Sequence, residues 1–172
     1  SVLWLFSNYG NTTTTKNLKK EAMKFGINED RLVFAKYVPV EEHLNRIKQA
    51  DLFIDTLPYN AHTTTSDALR MGLPVLTCIG NSFASRVAAS LLNAVNLPEL
   101  ITTNQEEYES LAIELATHPE KLKIIKDKLV SNLSTAPLYD TPLFTRHLES
   151  AYTMMYDRYQ RDLDPDHIYV KH

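Results

Sequence analysis

The chain has 172 residues, 44% of them hydrophobic and 23% charged, with a formal net charge of −3. Such values fit one globular domain with a substantial core; the slight acidic surplus argues against a nucleic-acid partner, and no apolar run reaches membrane-spanning length. The one cysteine, Cys78, excludes a disulfide framework and fits a reducing compartment, so a cytoplasmic location is expected.

Ser1 leads at once into Val2-Leu3-Trp4-Leu5-Phe6, a run of buried-strand type with no methionine or leader before it. The expectation is a piece of a longer protein. Ser7 to Thr15 reads as a polar loop, and a helix follows from about Thr14 to Phe25, ended by Gly26. Arg31 to Ala35 is the second predicted strand. Pro39 suits the first position of the next helix, with Glu41 and Glu42 in its first turn, where the helix dipole favours carboxylates. That helix is expected to reach about Ala50, and Asp51 to Asp55 forms the third strand, with Leu52-Phe53-Ile54 buried. A short helix from Thr64 to Met71, closed by Gly72, precedes a near-continuously apolar strand, Pro74 to Cys78, of the kind found in covered parallel sheets. Ala84 to Val95 is a small-residue helix able to pack closely on a sheet, and a fifth strand is as short as Leu100-Ile101. From there the pattern turns helical: Asn104 to Thr117, Pro119 to Leu133 and Thr141 to Arg161, before a polar tail from Asp162 to His172. Strands alternating with helices imply right-handed crossovers and a parallel sheet. The expected fold is α/β, a Rossmann-like parallel sheet flanked by helices with a helical C-terminal cap. The domain occupies residues 1–160, and 161–172 form the tail.

The densest chemistry lies between the third strand and the helix after it, in Asp55-Thr56-Leu57-Pro58-Tyr59-Asn60-Ala61-His62-Thr63-Thr64-Thr65-Ser66-Asp67. Open α/β sheets bind anionic ligands beyond the carboxyl ends of their strands, at helix N-termini. A phosphorylated small molecule, specifically a nucleotide, is the ligand that such a loop suits. Thr64 and Asp67 alone are equally well explained as a capping box. That reading leaves Asn60, His62 and Thr63 in the same loop without a purpose. Hydroxyls and backbone N–H groups here suit a diphosphate; Asp67 would repel it and suits ribose hydroxyls instead. His43 and Arg46 are three residues apart and share a helix face. They suit a base or a phosphate, or else a solvated surface with a local Glu–Arg pair. Their helix follows strand two and the His62 loop follows strand three, so both face the carboxyl edge. Ala84 to Ser90 reads as a packing surface, with Arg86 structural. Asp162-Leu163-Asp164 resembles a metal-binding carboxylate pair by chance, having no strand before it. Tyr152, Tyr156 and Tyr159 recur at helical spacing, as one packed face would. Four glycines in the whole chain cannot stage a glycine-rich phosphate loop, and no zinc spacing or nucleophile-elbow motif is present.

These residues resemble a known family. Ser1 to Leu5, Pro39 to His43 with Arg46, Asp55 to Pro58, His62-Thr63-Thr64 with Asp67, Gly72 to Val75, Ala84 to Ser90 and Pro165-Asp166-His167 occur in the order found in the C-terminal catalytic half of the O-linked N-acetylglucosamine transferases. That group also contains the plant SPINDLY proteins, and the resemblance spans essentially the whole chain. It implies the C-terminal lobe of a GT-B glycosyltransferase, which binds the sugar nucleotide. An N-terminal catalytic lobe and upstream tetratricopeptide repeats, which hold the protein acceptor, are absent from this fragment. By the same resemblance, the backbone around Val38 and the side chain of Arg46 recognise uracil, and His43 lies beside the nucleotide. Thr63 and Thr64 meet the diphosphate, His62 sits near phosphate and sugar, and Asp67 holds the ribose. The implied reaction moves N-acetylglucosamine from its UDP donor to serine or threonine hydroxyls with inversion, needing neither a metal nor a cofactor.

Two departures from the family pattern bear on this. Val40 stands where relatives often carry a lysine near the ribose, which points to weaker nucleotide affinity. The family's glutamine and catalytic lysine fall before the segment matching Ser1, so no catalytic residue is assigned to this fragment and the fragment alone is expected to be inactive. Other readings are a GDP-fucose-dependent protein O-fucosyltransferase, as in SPINDLY-type relatives, and a non-catalytic nucleotide-sensing or scaffold domain. His62 ahead of the paired threonines looks more like the N-acetylglucosamine type.

Overall fold

The computed structural model describes residues 1–6 and 12–171. Among them are five short strands and seven α-helices. In chain order these are β1 (Leu3–Phe6), α1 (Thr12–Lys24), β2 (Leu32–Ala35), α2 (Val40–Ile47), β3 (Phe53–Ile54) and α3 (Thr63–Arg70). Then come β4 (Val75–Cys78), α4 (Val87–Ala94), β5 (Ile101–Thr102), α5 (Gln105–Thr117), α6 (Pro119–Leu133) and α7 (Thr141–Gln160). Every strand pair is parallel. Leu3 lies opposite Leu32 in β1–β2, Phe53 opposite Val75 in β3–β4, and Thr77 opposite Ile101 in β4–β5. The expected single sheet is present as two hydrogen-bonded groups, β1–β2 and β3–β4–β5, with no ladder from β1 to β3 among the described residues.

β4 is central: all four of its residues are buried. Around it Leu69 and Leu73 from the α3 segment, Leu92 and Val95 from the α4 segment, Leu115 of α5 and Leu129 of α6 form the main core. Gly72 takes a left-handed φ of +79°, which glycine adopts without steric penalty, and turns the chain from α3 into β4. Gly26 does the same after α1 at +72°.

Several sequence expectations are corrected. Val2, Leu3 and Phe6 are exposed, so β1 is not a core strand within this chain; only Trp4 and Leu5 are half-buried, because no described layer covers its outer face. Ile54 of β3 is likewise exposed. α1 already includes Thr12 to Thr15, and the rest of the expected polar loop, residues 7–11, lies outside the described residues, as does His172 of the tail. Pro39 is the N-cap of α2 and not its first residue, since its ψ of 153° is extended, and the helix ends at Ile47. The predicted helix from Ala84 is broken in two. Ser82 and Ser85 cap each other reciprocally around a 3-10 turn, Phe83–Ser85, and α4 begins only at Val87. Tyr152, Tyr156 and Tyr159 are all exposed, so α7 does not bury them as a packed face. The packing surface is as expected, with Ala88 and Ala89 buried, and Arg86 donates to the Gly80 carbonyl at 3.4 Å. No described helix is long and apolar enough to cross a membrane.

Candidate functional site

β3 ends against a buried carboxylate that organises everything after it. Asp55 Oδ1 accepts from the backbone N–H of Thr56 at 2.8 Å and of Ala61 at 2.7 Å, and Oδ2 accepts from the Thr77 hydroxyl at 2.6 Å. Its carbonyl accepts from the Tyr108 hydroxyl at 2.6 Å, and Thr102 donates to the Thr77 carbonyl at 3.0 Å. Burial, reinforced by the Asp55 charge and by Cys78, pushes the Tyr108 phenol up to about 12. Within the ring that Asp55 closes, Thr56 Oγ1 donates to the Tyr59 carbonyl at 2.8 Å and Asn60 Nδ2 to the Thr56 carbonyl at 3.0 Å. The Leu57–Pro58 peptide is cis. Asn60 N–H donates to the Ala84 carbonyl at 3.0 Å, which ties the loop to the segment after β4. Asn60 is fully buried, and its Oδ1 is a buried acceptor without a partner.

This ring delivers His62 to the N-cap of α3, and no side chain caps that helix. The capping box of Thr64 and Asp67 therefore does not form: Thr64 lies inside the first turn and Asp67 further along the helix. Thr63 and Thr64 are exposed, and His62 and Asp67 are half-buried. An uncapped first turn leaves N–H donors and the positive end of the helix dipole without an internal acceptor. Thr65 is different: it is buried and donates its hydroxyl to the Ala61 carbonyl at 2.9 Å. Tyr139, from the C-terminal cap, holds the helix by donating to the Ser66 carbonyl at 2.8 Å.

The second group of residues stands at the carboxyl ends of β1 and β2. Arg46 donates from Nη1 to the Lys36 carbonyl at 2.8 Å, and Nη2 lies 3.0 Å from His43 Nδ1. A guanidinium can only donate, so this imidazole nitrogen accepts. The same guanidinium sits 5.3 Å from the Trp4 ring centroid, and Phe6 meets His43 edge-on at 6.4 Å. The Glu–Arg surface pair is not what forms: Arg46 is half-buried and anchored to backbone, imidazole and indole. Val38 is half-buried in the connection from β2 to α2. α2 packs against α3, and no hydrogen bond or ring contact joins the His43–Arg46 group to the His62–Thr63 group among the described residues. A separate cavity of about 220 Å³, lined by Lys48, Met71 and Lys126 among others, lies at the other end of α3 and includes none of these residues.

Sequence reasoning missed the supports of the site. Thr77 is the one hydroxyl in an otherwise apolar strand, a signal that something polar faces it; Asp55 is that group. Tyr59 stacks on His62 with centroids 5.0 Å apart and planes 19° from parallel, and Phe83 meets the imidazole edge-on at 6.0 Å. No local pattern signals that arrangement, because Phe83 comes from the loop after a different strand.

Comparison with known proteins shows the family. The profile described as glycosyl transferase family 41 matches residues 1–148. The chain is 34% identical over 170 residues, 98% of its length, to the UDP-N-acetylglucosamine–peptide N-acetylglucosaminyltransferase of Caenorhabditis elegans, of which it spans 14%. It is 38% identical over 118 residues to the probable UDP-N-acetylglucosamine–peptide N-acetylglucosaminyltransferase SPINDLY of Petunia hybrida, covering 69% of this chain and 13% of that one. Its structure matches a mutant O-GlcNAc transferase of Thermobaculum terrenum with a TM-score of 0.82 and 32% identity, over 90% of this chain and 30% of the other. The chain thus spans less than a third of each of these relatives, while nearly all of it, or in the plant case about two thirds, is matched. It belongs to glycosyl transferase family 41.

Proposed function

We propose that this chain is the donor-binding lobe of an inverting protein O-glycosyltransferase that moves N-acetylglucosamine from UDP-N-acetylglucosamine to serine or threonine. The observation that carries this reading is the uncapped N-terminus of α3, with Thr63 and Thr64 exposed on it and His62 at its cap. A diphosphate supplies the acceptors that this first turn lacks, and the threonine hydroxyls add donors, so no metal is required to hold it. Asp67, one turn further on, accepts from ribose hydroxyls. Arg46 and the backbone around Val38 recognise uracil, with His43 beside the nucleotide. The names of the relatives support this donor, and acceptor binding is assigned to other regions of the parent protein. A single buried cysteine fits a reducing, cytoplasmic setting.

Calorimetric titration of the parent protein, including its N-terminal lobe, with UDP and with GDP tests the assignment. UDP is expected to bind more tightly, and Thr63→Ala with Thr64→Ala to weaken it about tenfold, as loss of two hydrogen bonds to a charged group would. Preference for GDP, or no effect of the threonine substitutions, rejects the reading.

A further inference from the structure

Arg46 is a half-buried cation held by neutral groups: the Lys36 carbonyl at 2.8 Å, His43 Nδ1 at 3.0 Å and the Trp4 ring, whose centroid lies 5.3 Å from the guanidinium carbon. No carboxylate lies within ion-pair distance of it among the described residues. Taking a charge out of water without an opposite charge is costly, and the carbonyl dipole and the negative face of the indole are the compensation present. The placement follows from strand geometry. Trp4 and Phe6 alternate with Leu5 on β1, so they share one face of it, and Phe6 meets the His43 ring edge-on at 6.4 Å. The two hydrogen bonds hold the guanidinium at its nitrogens, and the indole restrains the guanidinium as a whole. Further N–H groups of Arg46 remain for a ligand. Because His43 Nδ1 accepts from Arg46, the neutral imidazole carries its proton on Nε2, so His43 also offers a donor.

We propose that Trp4 is a positioning residue for base recognition: its ring holds the Arg46 guanidinium, and through the Arg46–His43 bond the tautomer of His43, so that uracil is preferred over cytosine. The side chains of this pair offer a base donors only. Uracil carries a carbonyl acceptor at its 4-position, where cytosine carries an amino donor that would meet them donor to donor. A tryptophan that merely packed β1 against α2 would support both nucleotides alike. This rests on the donor-site reading above.

The test titrates UDP and CDP calorimetrically into the parent protein. The unaltered protein is expected to prefer UDP. Trp4→Met keeps apolar bulk but has no π face, and is expected to reduce that preference about fivefold. Trp4→Phe, whose ring holds a cation less well than an indole, is expected to reduce it about twofold. In an Arg46→Met background, Trp4→Met is expected to change the preference by less than about twofold, since its partner is gone. Equal weakening of UDP and CDP by Trp4→Met, no effect on either, or an undiminished effect in the Arg46→Met background would each overturn the proposal. If Trp4→Met does not fold, Trp4→Phe decides alone, and an unchanged preference overturns the proposal. An unaltered protein that binds UDP and CDP equally also overturns it but leaves the diphosphate site standing, whereas failure to bind UDP at all rejects the donor-site reading itself.

Discussion

Asp55 shows how one side chain can set a loop. A carboxylate out of water is tolerable only when its lone pairs are filled, and here two backbone N–H groups and a hydroxyl fill them at 2.6–2.8 Å. Asp55→Asn keeps the shape but puts an amide N–H₂ against either the backbone donors or the Thr77 hydroxyl. It is expected to lower stability by about 1–3 kcal/mol, the penalty for an unsatisfied buried polar group. Urea denaturation reads this as a lower midpoint with an unchanged slope. Arg46 makes a different kind of case. Its guanidinium contacts a carbonyl, an imidazole and an indole face at once, which a planar fork can do and a point charge cannot. Arg46→Lys keeps the charge and is still expected to weaken UDP binding at least fivefold. Near-wild-type affinity in a titration would mean that charge alone matters at that position.

At the scale of elements, the site depends on a loop that none of its ligand-facing residues belongs to. The 3-10 turn Phe83–Ser85 carries the Ala84 carbonyl that holds both Asn60 and His62, and that turn is packed against Gly80. A Cβ at Gly80 would lie 2.5 Å from Ser85 Oγ, closer than any real contact. Gly80→Ala therefore has to push the turn away and break the reciprocal Ser82–Ser85 caps. The expected result is a loss of about 1–3 kcal/mol, as overpacking usually gives, together with weaker nucleotide-sugar binding. Paired denaturation and titration measurements check both halves. Elements of this size also mark where sequence patterns stop being informative. α6 runs over Pro119–Leu133 as the periodicity predicts, because a proline start and an apolar stripe are local signals. The break before α4 was not legible in that way: Ser85 looks like an ordinary first-turn helix residue until it is seen to bond Ser82. The capping box at Thr64 failed for the opposite reason. The pattern was present, but the ring closed by Asp55 fixed the helix start at Thr63, one residue too early for Thr64 to cap it.

For the whole molecule, the alternation of strand and helix was enough to give parallel α/β order, and the apolar run Val75–Cys78 was enough to identify the buried central strand. Burial of β1 and of the α7 tyrosines was misread because periodicity reports which face is apolar, not whether anything covers it. What ties α5 to the β3–β4–β5 group is likewise invisible in local sequence: a polar ladder from Tyr108 through Asp55 and Thr77 to Thr102. Tyr108 in that ladder makes one part of the fold's stability sensitive to alkaline pH. The Tyr108 phenol is raised from 10 to about 12 in the folded chain, so above pH 10 the unfolded chain binds fewer protons at this site than the folded one. Stability rises with pH only where the unfolded state binds more protons; here the sign is reversed. The contribution is therefore present in full below pH 10 and is lost as pH climbs towards 12. Tyr108→Phe is expected to lower stability at neutral pH by about 1–2 kcal/mol, the value of the lost hydrogen bond to the Asp55 carbonyl. It is also expected to flatten the decline between pH 10 and 12 relative to the unaltered protein, while lysine deprotonation contributes equally to both. Denaturation midpoints measured for the two proteins across that range check the sign directly, and parallel curves would mean that Tyr108 titrates in the folded chain as it does in the unfolded one.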